Sequence, residues 1–487
     1  MTTASSTATT SVSWTQQLTE RTVDQFMDLM VQQRNLTTLK ENWSMISSAY
    51  TNRFITRICH FSNKLVVLHL SKWHVSVQDL NDLISHSPCL LELTVRGLYI
   101  TPNGAPTAAS AATSTSISTS MSNETGKQHD SQEQQHPILN FRQIRRLRFH
   151  LLVLRVSPLR MECPAAQSLE LSGYGNYYAS ALDIVTRRGH SWNCPRLQTL
   201  QYTGQVHEAE ALYEYSEQGA LSHILKSCVS LPHNSTGPVT SSTTKSSSSS
   251  SSSSTATTIT TTHDDRDQSL NYRGLKRIAL NCCFGLGMGQ GKPGGLWQRA
   301  LDLHWATLES IDLSYSKGID SDVIHAIFST CPRLKRFRGS EDTFAGTTLQ
   351  NSNRVPWKCL SLERLQVRFV LETSDVFDRI GSSSCVQSKG QQQACLLYDQ
   401  LAVLTHLKVL DLSGYGSVDD TQRGIPLTLN GGLDRLRGLT AMETVHVTGW
   451  QDQMDIAEAE WMAKHWPKLT NIYSLRNKDM KQWELFL

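Results

Sequence analysis

Several features typical of enzymes and membrane proteins are missing from this 487-residue sequence. No stretch approaches the ~18 consecutive apolar residues that a membrane-spanning helix needs. The HExxH and GxSxG motifs of zinc proteases and serine hydrolases do not occur. The formal net charge is only +3, which is too small to indicate nucleic-acid binding by itself. We therefore expect no catalytic centre, no metal or cofactor, no membrane contact and no specific nucleic-acid partner.

The 11 cysteines lack the CxxC spacing of zinc sites and dithiol redox centres. Many lie beside apolar residues, as in Pro88-Cys89-Leu90 and Cys331-Pro332. Because an unpaired cysteine behaves as a small apolar side chain, this usage predicts reduced core residues in a cytoplasmic or nuclear protein. Residues 1–13 are rich in serine and threonine and contain no apolar segment, so we expect no secretory signal.

A glycine-rich run at 285–295 contains a GxGxxG match at Gly289, Gly291 and Gly294. A dinucleotide site needs this loop to open a helix whose N-terminus meets the pyrophosphate. Pro293 interrupts the motif, and the match arises from a generally glycine-rich stretch. We interpret the run as a loop between repeats.

One short pattern recurs along the chain: an apolar residue, two others, an apolar residue, one other and a third apolar residue. The last two apolar positions alternate, as in a short strand with one buried face. Clear copies lie at 65–70, 90–95, 144–149, 166–171, 197–202, 275–280, 308–313, 362–367, 407–412 and 442–447. Weaker copies lie at 334–339 and 469–474. The closest copies are about 22 to 28 residues apart, which is the period of leucine-rich repeats.

Amphipathic stretches of helical period lie between the predicted strands. In the clearest, 77–84, the apolar residues Val77, Leu80, Leu83 and Ile84 share one face, and 323–328 and 456–466 behave alike. One strand and one helix cannot bury a core alone, so such units must stack. The sequence predicts an α/β leucine-rich-repeat solenoid of about twelve irregular units, a horseshoe with a parallel concave sheet and a helical convex side. The long step from 362 to 407 leaves room for one further degenerate unit.

Low-complexity segments divide the predicted array. Residues 101–136 are rich in Ala, Ser, Thr and Gln, and 232–268 contain the serine run Ser246–Ser254. Neither segment can bury enough apolar surface to offset its chain entropy, so both are predicted to be disordered insertions. The predicted organisation is 1–12 disordered, 13–60 a helical N-terminal region, 61–100 repeats, 101–136 an insertion, 137–231 repeats, 232–268 an insertion, and 269–487 repeats with a C-terminal cap.

The segments that lead into several strands share a further mark. They read His-Ser-Pro-Cys-Leu (86–90), Asn-Cys-Pro-Arg-Leu (193–197), Thr-Cys-Pro-Arg-Leu (330–334) and His-Trp-Pro-Lys-Leu (465–469). Asp-Leu-Ser follows at 312–314 and 411–413. From about residue 60 to 475 the chain resembles the cysteine-containing repeats of F-box/leucine-rich-repeat proteins, most closely the fungal F-box-like type. That resemblance implies an F-box that binds the adaptor of a cullin–RING ubiquitin ligase, and repeats that bind its substrate.

The N-terminal region departs from that family. An F-box opens with a Leu-Pro helix start, whereas this chain has no proline before Pro88. Residues 13–43 have a helical pattern, with Val23, Phe26, Leu29 and Met30 on one side. Region 13–60 is therefore either a cap over the first repeat or a divergent or truncated F-box that would contact the adaptor.

The alternation of the strand pattern also predicts which residues face outward on the concave surface. Two consecutive units place Arg336, Arg338, Arg364 and Arg368 on neighbouring strands, where their guanidinium groups would attract carboxylate or phosphate. The alternative is a solvated basic stretch that acidic residues of the flanking units balance. The candidate partner-binding residues are Arg146, Arg148, Asp312, Arg336, Arg338, Arg364, Gln366, Arg368 and Asp411.

The tryptophans near repeat junctions, Trp73, Trp305, Trp357 and Trp466, are predicted to fill core gaps, with one or two left as exposed binding anchors. Together these features predict a non-catalytic interaction scaffold for a protein partner that is acidic or phosphorylated. The resemblance implies the substrate-recognition subunit of a cullin–RING ligase. The alternative is a repeat protein that regulates another enzyme through surface contacts, such as a GTPase-activating protein.

Overall fold

The computed structural model describes residues 11–14, 25, 28, 35–41, 55–59, 62–101, 137–154, 159–172, 191–203, 220–228, 274–281, 302–314, 316, 319, 321–345, 355–371, 389–412, 425, 427–447 and 456–474. The predicted insertion at 232–268, the one at 101–136 beyond its first residue, and the glycine-rich run at 285–295 lie outside the described residues.

The strands are numbered in chain order, as are the helices. The strands are β1 Ser11–Trp14, β2 Thr38–Glu41, β3 Val67–Ser76, β4 Glu92–Thr101, β5 Ile138–Asn140, β6 Arg146–Leu154, β7 Arg160–Glu162, β8 Ser168–Ser172, β9 Ser191–Asn193, β10 Thr199–Thr203, β11 Arg277–Asn281, β12 Ser310–Asp312, β13 Arg336–Ala345, β14 Arg364–Val370, β15 Val409–Asp411, β16 Thr444–Val447 and β17 Asn471–Ser474. The helices are α1 Val77–Ser85, α2 Ala220–Ser227, α3 Ser321–Thr330, α4 Lys389–Ala402 and α5 Ile456–His465, with short 3₁₀ segments at Ser62–Lys64 and Leu433–Gly438.

Within the described residues, the main sheet contains 14 strands in the order β1-β2-β3-β4-β6-β8-β10-β11-β12-β13-β14-β15-β16-β17. Neighbouring strands pair in parallel, for example β3 with β4 and β13 with β14. Every copy of the repeat pattern, including the two weaker ones, is a strand of this sheet in chain order. The chain is therefore an α/β leucine-rich-repeat solenoid, as predicted. No described helix has both the length and the apolar character to cross a bilayer.

A recurring turn leads into the strands and explains the Cys-Pro-x-Leu segments. The N–H at the first apolar position donates to the carbonyl three residues earlier, as in Leu197 to Cys194 (3.1 Å) and Leu469 to Trp466 (2.9 Å). The residue that supplies this carbonyl is buried. It is Cys163, Cys194, Cys331 or Trp466 in four of the repeats. Cysteine thus serves here as a small apolar residue that closes the turn against the core, as predicted, whereas Cys89 is exposed.

The side of the core opposite the main sheet is only partly helical, which corrects one detail of the prediction. Behind the units of β6, β8 and β10 the chain instead forms a parallel three-stranded sheet, β5-β7-β9. Helix α1 adjoins this sheet, and the Asn81 side chain completes its edge: Nδ2 donates to the Ile138 carbonyl at 2.7 Å and Oδ1 accepts from the Asn140 N–H at 2.9 Å. The side-chain amide thus takes the place of a neighbouring strand.

Helix α1 begins where its sequence contains a capping box. The Ser76 hydroxyl accepts a hydrogen bond from the Asp79 N–H at 3.1 Å, and the Asp79 carboxylate accepts one from the Ser76 N–H at 3.3 Å. The predicted apolar face of this helix is buried against the core. Helices α3 and α5 likewise overlap the stretches predicted from 323–328 and 456–466.

The N-terminal region differs from the prediction. Residues 11 and 12 were expected to be disordered and 13–60 helical, yet β1 and β2 belong to the main sheet, with Thr38 beside Val67 of β3. Residues 55–59 are helical. Whether 13–60 serves as a cap or as a divergent F-box stays a prediction.

The extra unit suggested between 362 and 407 contributes no described strand to the main sheet, because β14 pairs directly with β15 through Leu365 and Leu410. The long step between these strands contains α4 instead.

Candidate binding surface on the main sheet

One side of the main sheet packs on the core, and the other carries side chains that are only partly covered. In β3 the buried Leu68 and Leu70 alternate with the partly exposed Val67 and His69. Because neighbouring strands pair in register, the side chains that alternate with the buried ones form continuous rows across the sheet. We name this side the open face.

Positive charge is in excess on the open face. Among the open-face side chains that the structure describes, the carboxylates are Glu92, Glu170, Asp312 and Asp411. The cations among them are Lys40, Arg96, Arg146, Arg148, Arg277, Arg336, Arg338, Arg364 and Arg368. The described part of this surface is therefore more positive than the whole chain, whose net charge is +3.

The structure brings part of the predicted arginine cluster together. Arg336 of β13 lies directly beside Arg364 of β14 in the register, at the ~4.8 Å spacing of neighbouring strands. Both residues are exposed, and neither forms an ion pair with any described residue. Two like charges held side by side in this way favour an anionic ligand.

The other two arginines of the cluster are separated from this pair. Arg338 lies beside Gln366, and its Nη1 is 3.9 Å from Oδ2 of Asp312 on β12. The register between β13 and β14 shifts after Arg338, so Arg368 lies beside Thr343. Asp312 thus balances one arginine, as the alternative interpretation required.

Arg146 and Arg148 belong to a second charged cluster, at the N-terminal end of the open face. Glu92 is its centre: its carboxylate lies 3.5 Å from Nη1 of Arg146 and 3.4 Å from Nη1 of Arg148. Nε of Arg148 also contacts Glu170 at 3.3 Å. Both arginines therefore already have carboxylate partners.

Two histidines border this cluster. Burial, together with the charge of Lys40, lowers the pKa of His69. Burial also lowers the pKa of His150, whose Nδ1 forms a hydrogen bond with the Ser172 hydroxyl. Nearby cations reinforce both shifts, so the imidazoles are neutral at physiological pH and do not add to the positive charge.

A second charged feature was missed by the sequence analysis. The residue just before the strand alternates in sign over six consecutive units, from β11 to β16. We name these residues the charge ladder: Lys276, Glu309, Lys335, Glu363, Lys408 and Glu443. The signal was present in the sequence, one position after the first apolar residue of each copy, but it appears only when the repeats are aligned.

Backbone hydrogen bonds hold the charge ladder in register. The Glu309 N–H donates to the Lys276 carbonyl at 2.8 Å, and the same bond recurs at each step up to Glu443. Two lysines, Lys335 and Lys408, lie 3.4 Å from the carboxylates of the preceding unit. All six side chains are at least partly exposed.

Three of the four tryptophans named above fill the core, as predicted: Trp73, Trp357 and Trp466 are at most 2% exposed. Trp305 is 46% exposed. It lies in the turn before β12, in the segment that leads to Glu309 of the charge ladder.

The described residues contain no group of three or more potential metal ligands. The buried thiols are also poorly suited to nucleophilic chemistry. Burial raises the pKa of Cys331 to about 11 and that of Cys359 to about 12, so both stay protonated.

No protein-family model matches the sequence, and no curated protein matches it. Among solved structures, the chain resembles TLR13 in its complex with ssRNA13, at 9% identity and a TM-score of 0.36, over 91% of this chain and 54% of that one. It thus spans about half of the TLR13 chain. It also resembles a leucine-rich-repeat protein of Leptospira interrogans, at 11% identity and a TM-score of 0.29, over 91% of both chains. Similarities this low carry no functional argument, and the fold assignment rests on the sheet itself.

Proposed function

We propose that this protein is a non-catalytic scaffold whose open face captures an acidic or phosphorylated segment of a protein partner. The observation that carries the proposal is the juxtaposition of Arg336 and Arg364, which lie side by side in the register. Guanidinium groups bind carboxylate and phosphate through two parallel hydrogen bonds. An anion placed between the two arginines would relieve their mutual repulsion and gain both sets of bonds.

The spacing of the strands on the open face suits an extended peptide as the ligand. The rows of the open face run across many strands at ~4.8 Å per strand, whereas an extended peptide advances ~3.3 Å per residue. A segment that lies across the strands can therefore contact several units, with its acidic residue at the Arg336–Arg364 pair.

A sharp test replaces both arginines. R336S/R364S should lose capture of the partner from an extract, as read by affinity purification and mass spectrometry. R196S/R437S removes the same charge from exposed turn and 3₁₀ positions and should capture as well as the original chain. Equal capture by both variants, with unchanged circular dichroism, refutes the assignment of the site.

The more specific role that we propose is the substrate-recognition subunit of a cullin–RING ubiquitin ligase. The support is the resemblance of the Cys-Pro-x-Leu units to those of F-box/leucine-rich-repeat proteins, and 13–60 is then the segment that contacts the ligase adaptor. The full chain should co-purify with a cullin adaptor, and removal of 1–34, which leaves β2 in place on β3, should abolish this. R336S/R364S should keep the adaptor. If the full chain retains no adaptor, the ligase role is wrong and the scaffold role is unaffected.

A further inference from the structure

The charge ladder complements a reversed copy of itself. From β11 to β16 its signs run plus, minus, plus, minus, plus, minus. A second ladder that runs in the opposite direction presents minus, plus, minus, plus, minus, plus. Every position then faces an opposite charge, whereas a ladder in the same direction and the same register would place like charges together at every step.

This complementarity fixes the symmetry of the contact. A two-fold axis between β13 and β14 pairs Lys335 with Glu363 of a second copy, Glu309 with its Lys408 and Lys276 with its Glu443. Two-fold contacts use the same patch on both subunits, as this pairing requires. The ladder spans about 24 Å, from five steps of ~4.8 Å between neighbouring strands.

Apolar residues in the turns are also arranged symmetrically about the two-fold axis between β13 and β14. The turns before β12, β13, β14 and β15 carry the exposed Trp305, Pro332, Leu360 and Val403. Trp305, Leu360 and Val403 are 46%, 52% and 42% exposed. The same axis relates Trp305 to Val403 and Pro332 to Leu360, so that each apolar residue has an apolar counterpart. These turn residues therefore supply exposed apolar surface that a second copy would cover.

We propose that this edge of the solenoid is the interface of a homodimer, with its two-fold axis between β13 and β14. The occupant is a second copy of the chain because the reversed ladder places an opposite charge at all six positions. The dimer presents two open faces, so a partner with two acidic segments binds both copies with higher apparent affinity. The contact is independent of the proposed function, since it uses the strand-entry edge and not the open-face arginines.

Sedimentation velocity on the full chain tests the dimer. The original chain should dimerise at tens of micromolar in 50 mM salt and dissociate as salt rises to 500 mM, because these partly exposed charges are screened. K335E places residue 335 of each copy opposite Glu363 of the other copy, so that two pairs of like charges meet across the axis. Association should weaken on the order of tenfold or more. K464E makes the same change on the exposed surface of α5 and should dimerise like the original chain.

A charge swap separates dimerisation from folding. K335E/E363K restores opposite charges across the axis. Within each copy, however, it places like charges on the neighbouring residues 309 and 335, and likewise on 363 and 408. It should therefore regain dimerisation while its urea midpoint stays below that of the original chain. A monomeric original chain in 50 mM salt, a K335E variant that still dimerises, or a swap that associates as weakly as K335E each overturns the proposal.

Discussion

Acidification should destabilise the fold through one buried histidine, His304. Its Nδ1 accepts a hydrogen bond from the Leu275 N–H at 3.4 Å. The Leu225 carbonyl lies 3.1 Å from Nε2 and can only accept, so Nε2 carries the proton. The neutral ring thus links α2 to the segment that enters β11. A second proton on Nδ1 would face the Leu275 N–H, and a charge would be buried.

Burial lowers the pKa of His304 from 6.5 to about 4 in the folded protein. The unfolded chain therefore binds a proton at a pH where the folded chain does not. The stabilisation is fully present above pH 6.5, the value for the unfolded state, and is lost as the pH falls toward the folded value. The loss is about 2 kcal/mol at pH 5 and about 3 kcal/mol at pH 4, since one pKa unit corresponds to ~1.4 kcal/mol.

Urea unfolding of the original chain and of H304Q, at pH 8, 6 and 5, measures this contribution. H304Q should be less stable at pH 8 but should lose about 2 kcal/mol less than the original chain between pH 8 and 5. H406Q changes an exposed histidine and should keep the original pH dependence. If the curves for H304Q and the original chain run parallel, His304 is not the group whose protonation destabilises the fold.

Three further substitutions test other contacts. Replacement of Asn81 by alanine removes the amide that completes the edge of the three-stranded sheet and should cost ~1–3 kcal/mol in urea unfolding, with faster amide exchange in β5. Replacement of Phe328, whose ring centroid is 4.6 Å from that of Trp357, by alanine should cost ~3–5 kcal/mol, and by leucine markedly less. Replacement of Glu92 by glutamine should change stability by less than ~1 kcal/mol. It should also tighten binding of a glutamate-rich peptide in calorimetric titration, because Arg146 and Arg148 both lose the Glu92 carboxylate that competes with the ligand.

The main sheet could be predicted because its strands bury two alternating residues after a buried turn residue. The strands β5, β7 and β9 could not be predicted, since each has three residues and only one buried side chain, such as Met161 in β7. Tertiary hydrogen bonds, such as those from Asn81, define these strands. β2 was missed for a related reason: Leu36 and Leu39 are buried, but Glu41 stands where the third apolar residue of the pattern belongs.

The residues of the open face were predicted from the sequence, but the pairing of its arginines was not. Alternation correctly placed Arg336 and Arg364 on the open face, because that depends only on the period of the strand. The distance from Arg338 to Arg368 depends on the register shift between β13 and β14, which the repeat pattern does not contain. The charge ladder was not predicted because each unit contributes only one charged residue to it, and the alternation of sign exists only between units.

The two arginine pairs on the open face are not equivalent binding sites. A ligand carboxylate at Arg146 and Arg148 must compete with Glu92 and Glu170, whose oxygens already lie within 3.5 Å of the guanidinium groups. At Arg336 and Arg364 no carboxylate of a described residue has to be displaced. Ion pairs at a surface contribute little net free energy, so a site that first breaks them gains less from the same ligand. Under the proposed function, the acidic group of the partner should therefore bind at the arginines that form no ion pair with a described residue, and not where arginines are most numerous.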